Sequence, residues 1–206
     1  MNAQDQNRWR QMLADKPDHS QWYIDRFRAM AERGDDIVGE ARTVDAMAAR
    51  GSRILDAGCG PGRIGGHLAA VGHTVVGVDL DPALIAAAEA EHPAARWICD
   101  DLATLDLSSY GIDEPFDLIV CAGNVMTFLA TSERRPALAG FARALADGGR
   151  AVIGFGRDRG YDFDAFWADA ESAGLVPELR LGTWDLRPFT EDSDFLVAVL
   201  RRTEGP

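Results

Sequence analysis

Short apolar runs alternate with amphipathic helical stretches along the chain after Gly51. Alternation of this kind is typical of a parallel sheet with helices on both faces. The pattern predicts strands at 53–57, 74–78, 95–99, 116–121, 150–155, 178–184 and 194–200, and helices at 63–71, 82–91, 132–146 and 162–173. A short connection, 186–193, joins the last two strands and predicts an antiparallel hairpin. The fold class is therefore α/β, with a doubly wound, mostly parallel sheet of seven strands.

The first fifty residues have a different pattern. Trp22, Tyr23, Phe27 and Met30 recur at helical spacing, and a second helical stretch runs from 38 to 49. The chain has 206 residues and no internal repeat, a length that fits one globular domain. We therefore expect a single domain over 1–206, made of an N-terminal helical segment (1–50) and an α/β core (51–206).

Composition and charge limit the classes of binding partner and the cellular location that we expect for the protein. Acidic residues outnumber basic ones 33 to 21, giving a net charge of −12, which disfavours a nucleic-acid substrate. The N-terminus is polar, and the longest nearly apolar run, 118–130, is too short to span a bilayer. The 3 cysteines lack metal-ligand spacing and are typical of reduced thiols. These features predict a cytoplasmic protein without a metal site, a membrane span or a nucleic-acid partner.

Glycines at alternate positions follow the first predicted strand, in the segment ILDAGCGPGR. Glycine lets the backbone turn tightly and approach a ligand closely, and ligands of doubly wound sheets bind at the carboxyl ends of the strands. Asp79 ends the second strand, where a carboxylate can accept two hydrogen bonds from a ribose diol. The third strand ends in Asp100, Asp101 and Leu102, which offer an acceptor and an apolar wall to an adenine.

The same glycines also satisfy the dinucleotide pattern at Gly60, Gly62 and Gly65. A pyrophosphate binds where N–H donors are present and anions are absent. Here Asp56 lies at the foot of the loop, and Pro61 removes one donor. The arrangement suits a ligand that carries an ammonium and a sulfonium. An NAD-dependent oxidoreductase stays as an alternative, although the residues after the fifth strand complete the sheet and leave little room for a catalytic domain.

Taken together and in order, four elements resemble the class I S-adenosylmethionine-dependent methyltransferases: ILDAGCGPG, VVGVDLDP, CDDL, and FDLIVCAGNVMTFL with the later LADGGRAVIGF. The resemblance implies a Rossmann-like core whose seventh strand is antiparallel, and an N-terminal lid formed by segment 1–50. It also implies S-adenosyl-L-methionine as cofactor, S-adenosyl-L-homocysteine as product, and transfer of a methyl group to an acceptor. Enzymes that methylate DNA bases carry an Asn/Asp-Pro-Pro-aromatic element after the fourth strand. This chain has AGNV there, which together with the net charge of −12 argues against nucleic-acid methylation. The apolar segment 126–129 that follows either favours a small or partly apolar acceptor or is ordinary core packing.

The resemblance also assigns roles to residues of the first two strand ends. The backbone at Ala57, Gly58 and Gly60 is expected to hold the methionine portion of the cofactor. Asp79 is expected to bind the ribose hydroxyls, with Leu80 beside the adenine.

Further roles fall on the third and fourth strand ends. Asp101, rather than Asp100, matches the acid that reaches the adenine amino group, and Leu102 lies next to it. Ala122 and Asn124 match positions beside the transferred methyl group.

Other candidate site residues are chosen only for their positions in the predicted fold. Asp56 adds negative charge under the loop, and Arg63 could meet the cofactor's carboxylate or pair with Asp56 or a neighbouring acid. Tyr23, at helical spacing from Phe27, could cover the cofactor or anchor the lid. His19 is the histidine that topology leaves near the ligand edge, as a base or in a capping or surface role. Methyl transfer needs no dedicated base, so a non-catalytic cofactor-binding regulatory subunit also stays open.

Overall fold

Seven strands form one sheet in the order β3-β2-β1-β4-β5-β7-β6. The computed structural model describes residues 5–203, and its strands are β1 (Arg53–Ala57), β2 (Thr74–Asp79), β3 (Arg96–Cys99), β4 (Phe116–Cys121), β5 (Leu145–Gly156), β6 (Leu175–Leu181) and β7 (Phe195–Arg202). Neighbours from β3 to β5 pair in parallel, whereas β7 is antiparallel to both β5 and β6. The predicted fold class and the antiparallel last strand are confirmed.

Eight α-helices accompany the sheet within residues 5–203: α1 (Arg8–Asp15), α2 (His19–Glu32), α3 (Gly39–Met47), α4 (Arg63–Ala70), α5 (Pro82–Glu91), α6 (Val125–Phe128), α7 (Thr131–Ala144) and α8 (Phe163–Ser172). Side-chain caps set two of the helix starts. Asp81 accepts a hydrogen bond from the Ala83 amide (2.9 Å), and Asp162 accepts one from the Asp164 amide (2.9 Å).

The sheet is buried on both faces, which explains the continuous apolar runs in its strands. On one face α3 and α4 pack against the strands, with Val44 and Leu68 in the contact. On the other face α7 and α8 contribute Phe141 and Phe166 to a larger core. The N-terminal segment therefore divides: α3 belongs to the helical layer of the sheet, while α1 and α2 lie near the carboxyl ends of the strands.

Some boundaries differ from the prediction. The helix predicted over 132–146 ends at Ala144, because Leu145 pairs with Phe116 and starts β5, which contains the glycine turn at Gly148 (φ 74°). β6 begins three residues earlier than predicted, directly after Gly174, and it tolerates Pro177 because it is an edge strand. Helices α1 and α6 were not predicted. No helix within the described ranges has the length and apolar character needed to cross a membrane.

Candidate functional site

A cavity opens at the carboxyl ends of β1 to β4. The loop after β1 forms one wall, and α1, α2 and α6 contribute side chains from above. Nine of the predicted site residues line it: Tyr23, Gly58, Gly60, Arg63, Asp79, Leu80, Asp101, Leu102 and Ala122. The topology thus brings together residues that are up to a hundred positions apart in sequence.

The glycine loop presents bare backbone to this cavity. The amides of Gly58 and Cys59 both donate to the Val78 carbonyl (2.8 and 3.0 Å), so the loop folds back over the end of β2. Gly58 has a φ of 79°, and a Cβ placed on it would lie 2.4 Å from Val125 Cγ2. The space beside Gly58 therefore depends on the absence of a side chain.

Gly58→Ala is expected to lower the affinity for S-adenosylhomocysteine at least about tenfold, because the added methyl group meets Val125 and the left-handed backbone costs about 1–2 kcal/mol. Titration calorimetry measures the effect. Gly111→Ala is the matched control: Gly111 also has a positive φ (68°), but its Cβ would enter open space. Equal affinity in the two variants would contradict the assignment of Gly58 to the binding surface.

Asp79 joins the loop to the end of β2. Its Oδ2 accepts from the Gly60 amide (2.9 Å), and its Oδ1 accepts from the Asp81 amide (3.0 Å). Burial raises the pKa of Asp79 to about 6, against the lowering effect of these two amides. Each oxygen keeps a lone pair, so the carboxylate is held in place and can accept further hydrogen bonds from a ligand.

Two acids at the end of β3 have different partners. Asp101 Oδ2 pairs with Arg10 of α1 (2.6 Å), and its Oδ1 accepts from the Ala103 amide (2.9 Å). Asp100 accepts from the Tyr110 hydroxyl (3.0 Å). Both line the cavity. Arg10 is mostly exposed, so its ion pair with Asp101 is screened by solvent and leaves the acid accessible to a ligand.

Arg63 pairs with Glu40 rather than with Asp56. Its Nη1 and Nη2 donate to the two Glu40 oxygens (2.7 and 2.8 Å), and its guanidinium lies over the Phe27 ring at 5.2 Å. Burial alone would raise the pKa of Glu40, but the Arg63 hydrogen bonds outweigh it and hold the pKa below its ordinary value. Arg63 lines the cavity while its charge is largely compensated.

Asp56 and Ala57 lie beneath the loop and do not line the cavity. Asp56 is 1% exposed, and its Oδ2 accepts from the Gly65 amide in the first turn of α4 (2.7 Å). Burial raises the pKa of Asp56 to about 7. The carboxyl group therefore fixes α4 to the end of β1 and places a titratable charge directly under the glycine loop.

His19 and Asn124 lie outside the cavity lining. His19 stacks on Trp22 (ring centroids 5.2 Å apart) in a separate surface recess with Lys16 and Asp18. Its proposed role as a base stays a prediction. Asn124 adopts a positive φ (66°), and its Oδ1 accepts from the Gly156 amide (2.8 Å), which ties the loop after β4 to the end of β5.

The sequence-based prediction missed the contribution of α1 and α6. Trp9 of α1 lines the cavity, and its Nε1 donates to Asp81 Oδ2 (2.9 Å). Its ring contacts Tyr23 (5.5 Å) and Phe128 of α6 (5.8 Å) edge to face. Asn7 also lines the cavity and donates to Glu133 (2.9 Å). Helical spacing of Trp9 with apolar neighbours was the available signal, but only the folded chain brings Trp9 to the Asp81 cap.

Comparisons with known proteins agree with this geometry. Residues 54–149 match the family model of a methyltransferase domain. The crystal structure of a TehB-like SAM-dependent methyltransferase from Corynebacterium glutamicum is 53% identical, covers 91% of this chain and 100% of that one, and superposes with a TM-score of 0.86.

Curated relatives match more remotely. Malonyl-[acyl-carrier protein] O-methyltransferase of Erwinia billingiae is 30% identical over 64% of this chain and 50% of its own length. Ubiquinone biosynthesis O-methyltransferase of Xanthomonas campestris pv. campestris is 30% identical over 48% of this chain and 46% of its own. The chain thus spans about half the length of these two relatives. It belongs to the S-adenosylmethionine-dependent methyltransferases, and the oxidoreductase alternative is set aside.

Proposed function

We propose that this protein moves a methyl group from S-adenosylmethionine to a small, partly apolar acceptor. The observation that carries the proposal is the cavity in which the bare backbone of Gly58 and Gly60 lies against the half-buried carboxylate of Asp79. A ligand with a ribose diol and cationic groups fits this donor and acceptor set, whereas a dinucleotide's phosphates would meet several carboxylates.

Each part of the cofactor has residues suited to hold it. Asp79 offers its free lone pairs to the ribose hydroxyls. Asp101 accepts from the adenine amino group, between the apolar surfaces of Leu80 and Leu102. The backbone of Gly58 and Gly60 receives the methionine portion. Burial raises the pKa of Asp56 beneath the loop to about 7, so a bound ammonium group would favour its ionised form.

The acceptor end of the cavity is apolar. It is lined by Trp9, Ala122, Val125, Phe128 and Leu129. The cofactor supplies a methyl group already activated on a sulfonium, and the protein's task is to align the acceptor and exclude water, which can contribute about 7–11 kcal/mol. Among the described residues, the cavity lining contains no histidine, lysine or glutamate, and its three aspartates (Asp79, Asp100 and Asp101) lie at the ends of β2 and β3 rather than among the apolar residues of the acceptor end. We therefore favour an acceptor atom that is nucleophilic at neutral pH without a base.

Ligand titration tests the proposal. We expect S-adenosylhomocysteine to bind in the nanomolar-to-micromolar range, about −8 to −12 kcal/mol, and NAD not to bind. The reverse result would favour the oxidoreductase alternative over the methyltransferase. A panel of acceptors with labelled cofactor then follows, and consistent inactivity alongside tight binding would favour the regulatory-subunit alternative.

A cytoplasmic location is part of the same proposal. Cys59, Cys99 and Cys121 are all unpaired in the structure, and Cys99 is exposed. Unpaired thiols of this kind are typical of reducing compartments.

A further inference from the structure

Helices α1 and α2 lie over the cavity and rest on the start of α5. Four residues from this part of the chain line the cavity: Asn7, Trp9, Tyr23 and Phe27. A Cβ placed on Gly60 would lie 3.6 Å from Tyr23 Cε1, so the Tyr23 ring lies over the glycine loop. Trp9 and Ile24 pack against Leu84 of α5 in a small buried cluster. A ligand in the cavity is therefore enclosed between the strand ends and this pair of helices, which we call the α1–α2 cover.

One buried carboxylate holds both helices of the cover. Asp81 is 2% exposed, and its Oδ2 accepts from Trp9 Nε1 of α1 (2.9 Å) and from the Ser20 hydroxyl of α2. Trp9 and Ser20 are buried as well. Hydrogen bonds to a charged acceptor are among the stronger ones in proteins, and burial shields them from water. A single oxygen atom of Asp81 therefore joins the whole cover to the loop that follows β2.

The other contacts of this kind are weaker. Within residues 5–203, the remaining side-chain hydrogen bonds from the cover to the rest of the chain are exposed or only partly buried: Asn7–Glu133, Arg8–Arg159, Arg10–Asp101 and Arg28–Glu91. Exposed ion pairs contribute little to stability, because solvent screens them. We therefore expect the two hydrogen bonds at Asp81 to contribute most to holding the cover in place.

Asp81 also contacts the acid proposed for the ribose. Its backbone amide donates to Asp79 Oδ1 (3.0 Å), and its own Oδ1 accepts from the Ala83 amide at the start of α5 (2.9 Å). The two oxygens of the Asp81 carboxylate thus have separate roles, because Oδ1 caps α5 and Oδ2 holds the cover. One residue connects the proposed ribose-binding acid, α5 and the cover.

We propose that Asp81 is a positioning residue that keeps the α1–α2 cover closed over the cofactor and determines how fast S-adenosylhomocysteine leaves. The inference rests on the proposed function, because it takes this cavity as the cofactor site. Release of the product then requires Trp9 and Ser20 to separate from Asp81, and opening steps of this kind limit turnover in many enzymes. Closure also places the Trp9 ring beside Phe128 (5.8 Å) at the acceptor end of the cavity.

Asp81→Asn tests the inference because it separates the two roles of the carboxylate. Asparagine is as good an N-cap as aspartate, so α5 keeps its start. With its oxygen on the Ala83 amide, the new side chain presents an NH2 group to Trp9 Nε1, and two donors cannot form a hydrogen bond. We expect the rate constant for dissociation of S-adenosylhomocysteine, measured by stopped-flow displacement, to rise at least about tenfold. The association rate constant should not fall, because a looser cover also admits the ligand.

Asp162→Asn is the matched control. Asp162 caps α8 in the same way, and its Oδ1 accepts from the amides of Asp164 and Ala165 in its own helix (2.9 and 3.3 Å). We expect this variant to release S-adenosylhomocysteine at the wild-type rate. Trp9→Phe keeps a ring but loses the N–H donor, so it should also speed dissociation. The effect of Asp81→Asn should be smaller in the Trp9→Phe protein than in the wild type.

Three results would overturn the inference. The first is dissociation from Asp81→Asn as slow as from the wild type. The second is slower association with unchanged dissociation, which is expected if Asp81 only stabilises the fold. The third is an equal effect of Asp81→Asn with and without Trp9→Phe. Failure of the wild type to bind S-adenosylhomocysteine would instead refute the methyltransferase site itself, whereas tight binding with unchanged dissociation refutes only the role of Asp81.

Discussion

Asp79→Ala is expected to weaken the binding of S-adenosylhomocysteine by about 1–3 kcal/mol, or roughly 5- to 150-fold. The substitution removes the charged acceptor proposed for the ribose hydroxyls. It also frees the Gly60 amide, which donates to Asp79 Oδ2. Titration calorimetry at pH 8, where the carboxyl group is ionised, gives the affinity difference. A change below a few tenths of a kcal/mol would show that Asp79 does not contact the ribose.

The matched variant for Asp79→Ala is Asp79→Asn, which keeps the shape and one acceptor oxygen but loses the charge. We expect it to lie between the wild type and the alanine variant. Because burial raises the pKa of Asp79 to about 6, wild-type affinity should fall as the pH drops through 6. Affinity of Asp79→Asn should depend less on pH over this range.

Asp56→Asn is expected to raise the free energy of unfolding of the ligand-free protein by roughly 2–4 kcal/mol at pH 8. Burial of Asp56 raises its pKa from the ordinary 3.8 to about 7. The carboxyl group therefore ionises more easily in the unfolded protein than in the folded one, which lowers the free energy of unfolding at pH 8. Asparagine can still accept the Gly65 amide hydrogen bond with its Oδ1, and it carries no charge. The substitution therefore removes the cost of burying a carboxylate and keeps the hydrogen bond from Gly65 that fixes α4.

The sign of the pH dependence gives an independent check. The pKa of Asp56 is higher in the folded state than in the unfolded state. Below about pH 4 Asp56 is protonated in both states and costs the folded protein nothing, whereas the wild type loses stability as the pH rises from about 4 to about 7. The stability difference between Asp56→Asn and wild type should therefore grow between pH 4 and 7 and stay constant above. Urea denaturation across this range measures it. A difference that does not vary with pH would mean that Asp56 ionises normally in the folded protein.

Much of the cofactor side of the site could be predicted because neighbouring residues in the sequence determine it. β1 and β4 have the predicted bounds, since each is a short apolar run between clear breaks. Asp79 and the glycines follow from the same logic: strand ends of a parallel sheet meet at one edge, so residues that end consecutive strands become neighbours. The Asp81 cap was likewise fixed by its own sequence neighbourhood.

The parts of the candidate site that could not be predicted depend on contacts between residues far apart in the sequence. Arg63 could have paired with any of several acids, and Glu40 was selected because α3 packs beside α4. Asn124 lies next to lining residues in sequence, yet its side chain is engaged by Gly156. Trp9 lies in a short helix whose position is set by Asp81, 72 residues away. No local pattern encodes such pairings.

The position of β7 has a consequence for how the chain assembles. Within residues 5–203, β6 pairs along its length with β7 and, through the single Leu181–Pro188 bridge, with the segment that follows it. Since β7 also pairs with β5, β6 joins the sheet through a strand that is synthesised after it. Until β7 has been synthesised, the open edge of β5 and most of β6 lack their backbone partners. Unpaired edges of this kind promote association between chains. We therefore expect the newly made chain to resist aggregation only after β7 has paired with β5 and β6.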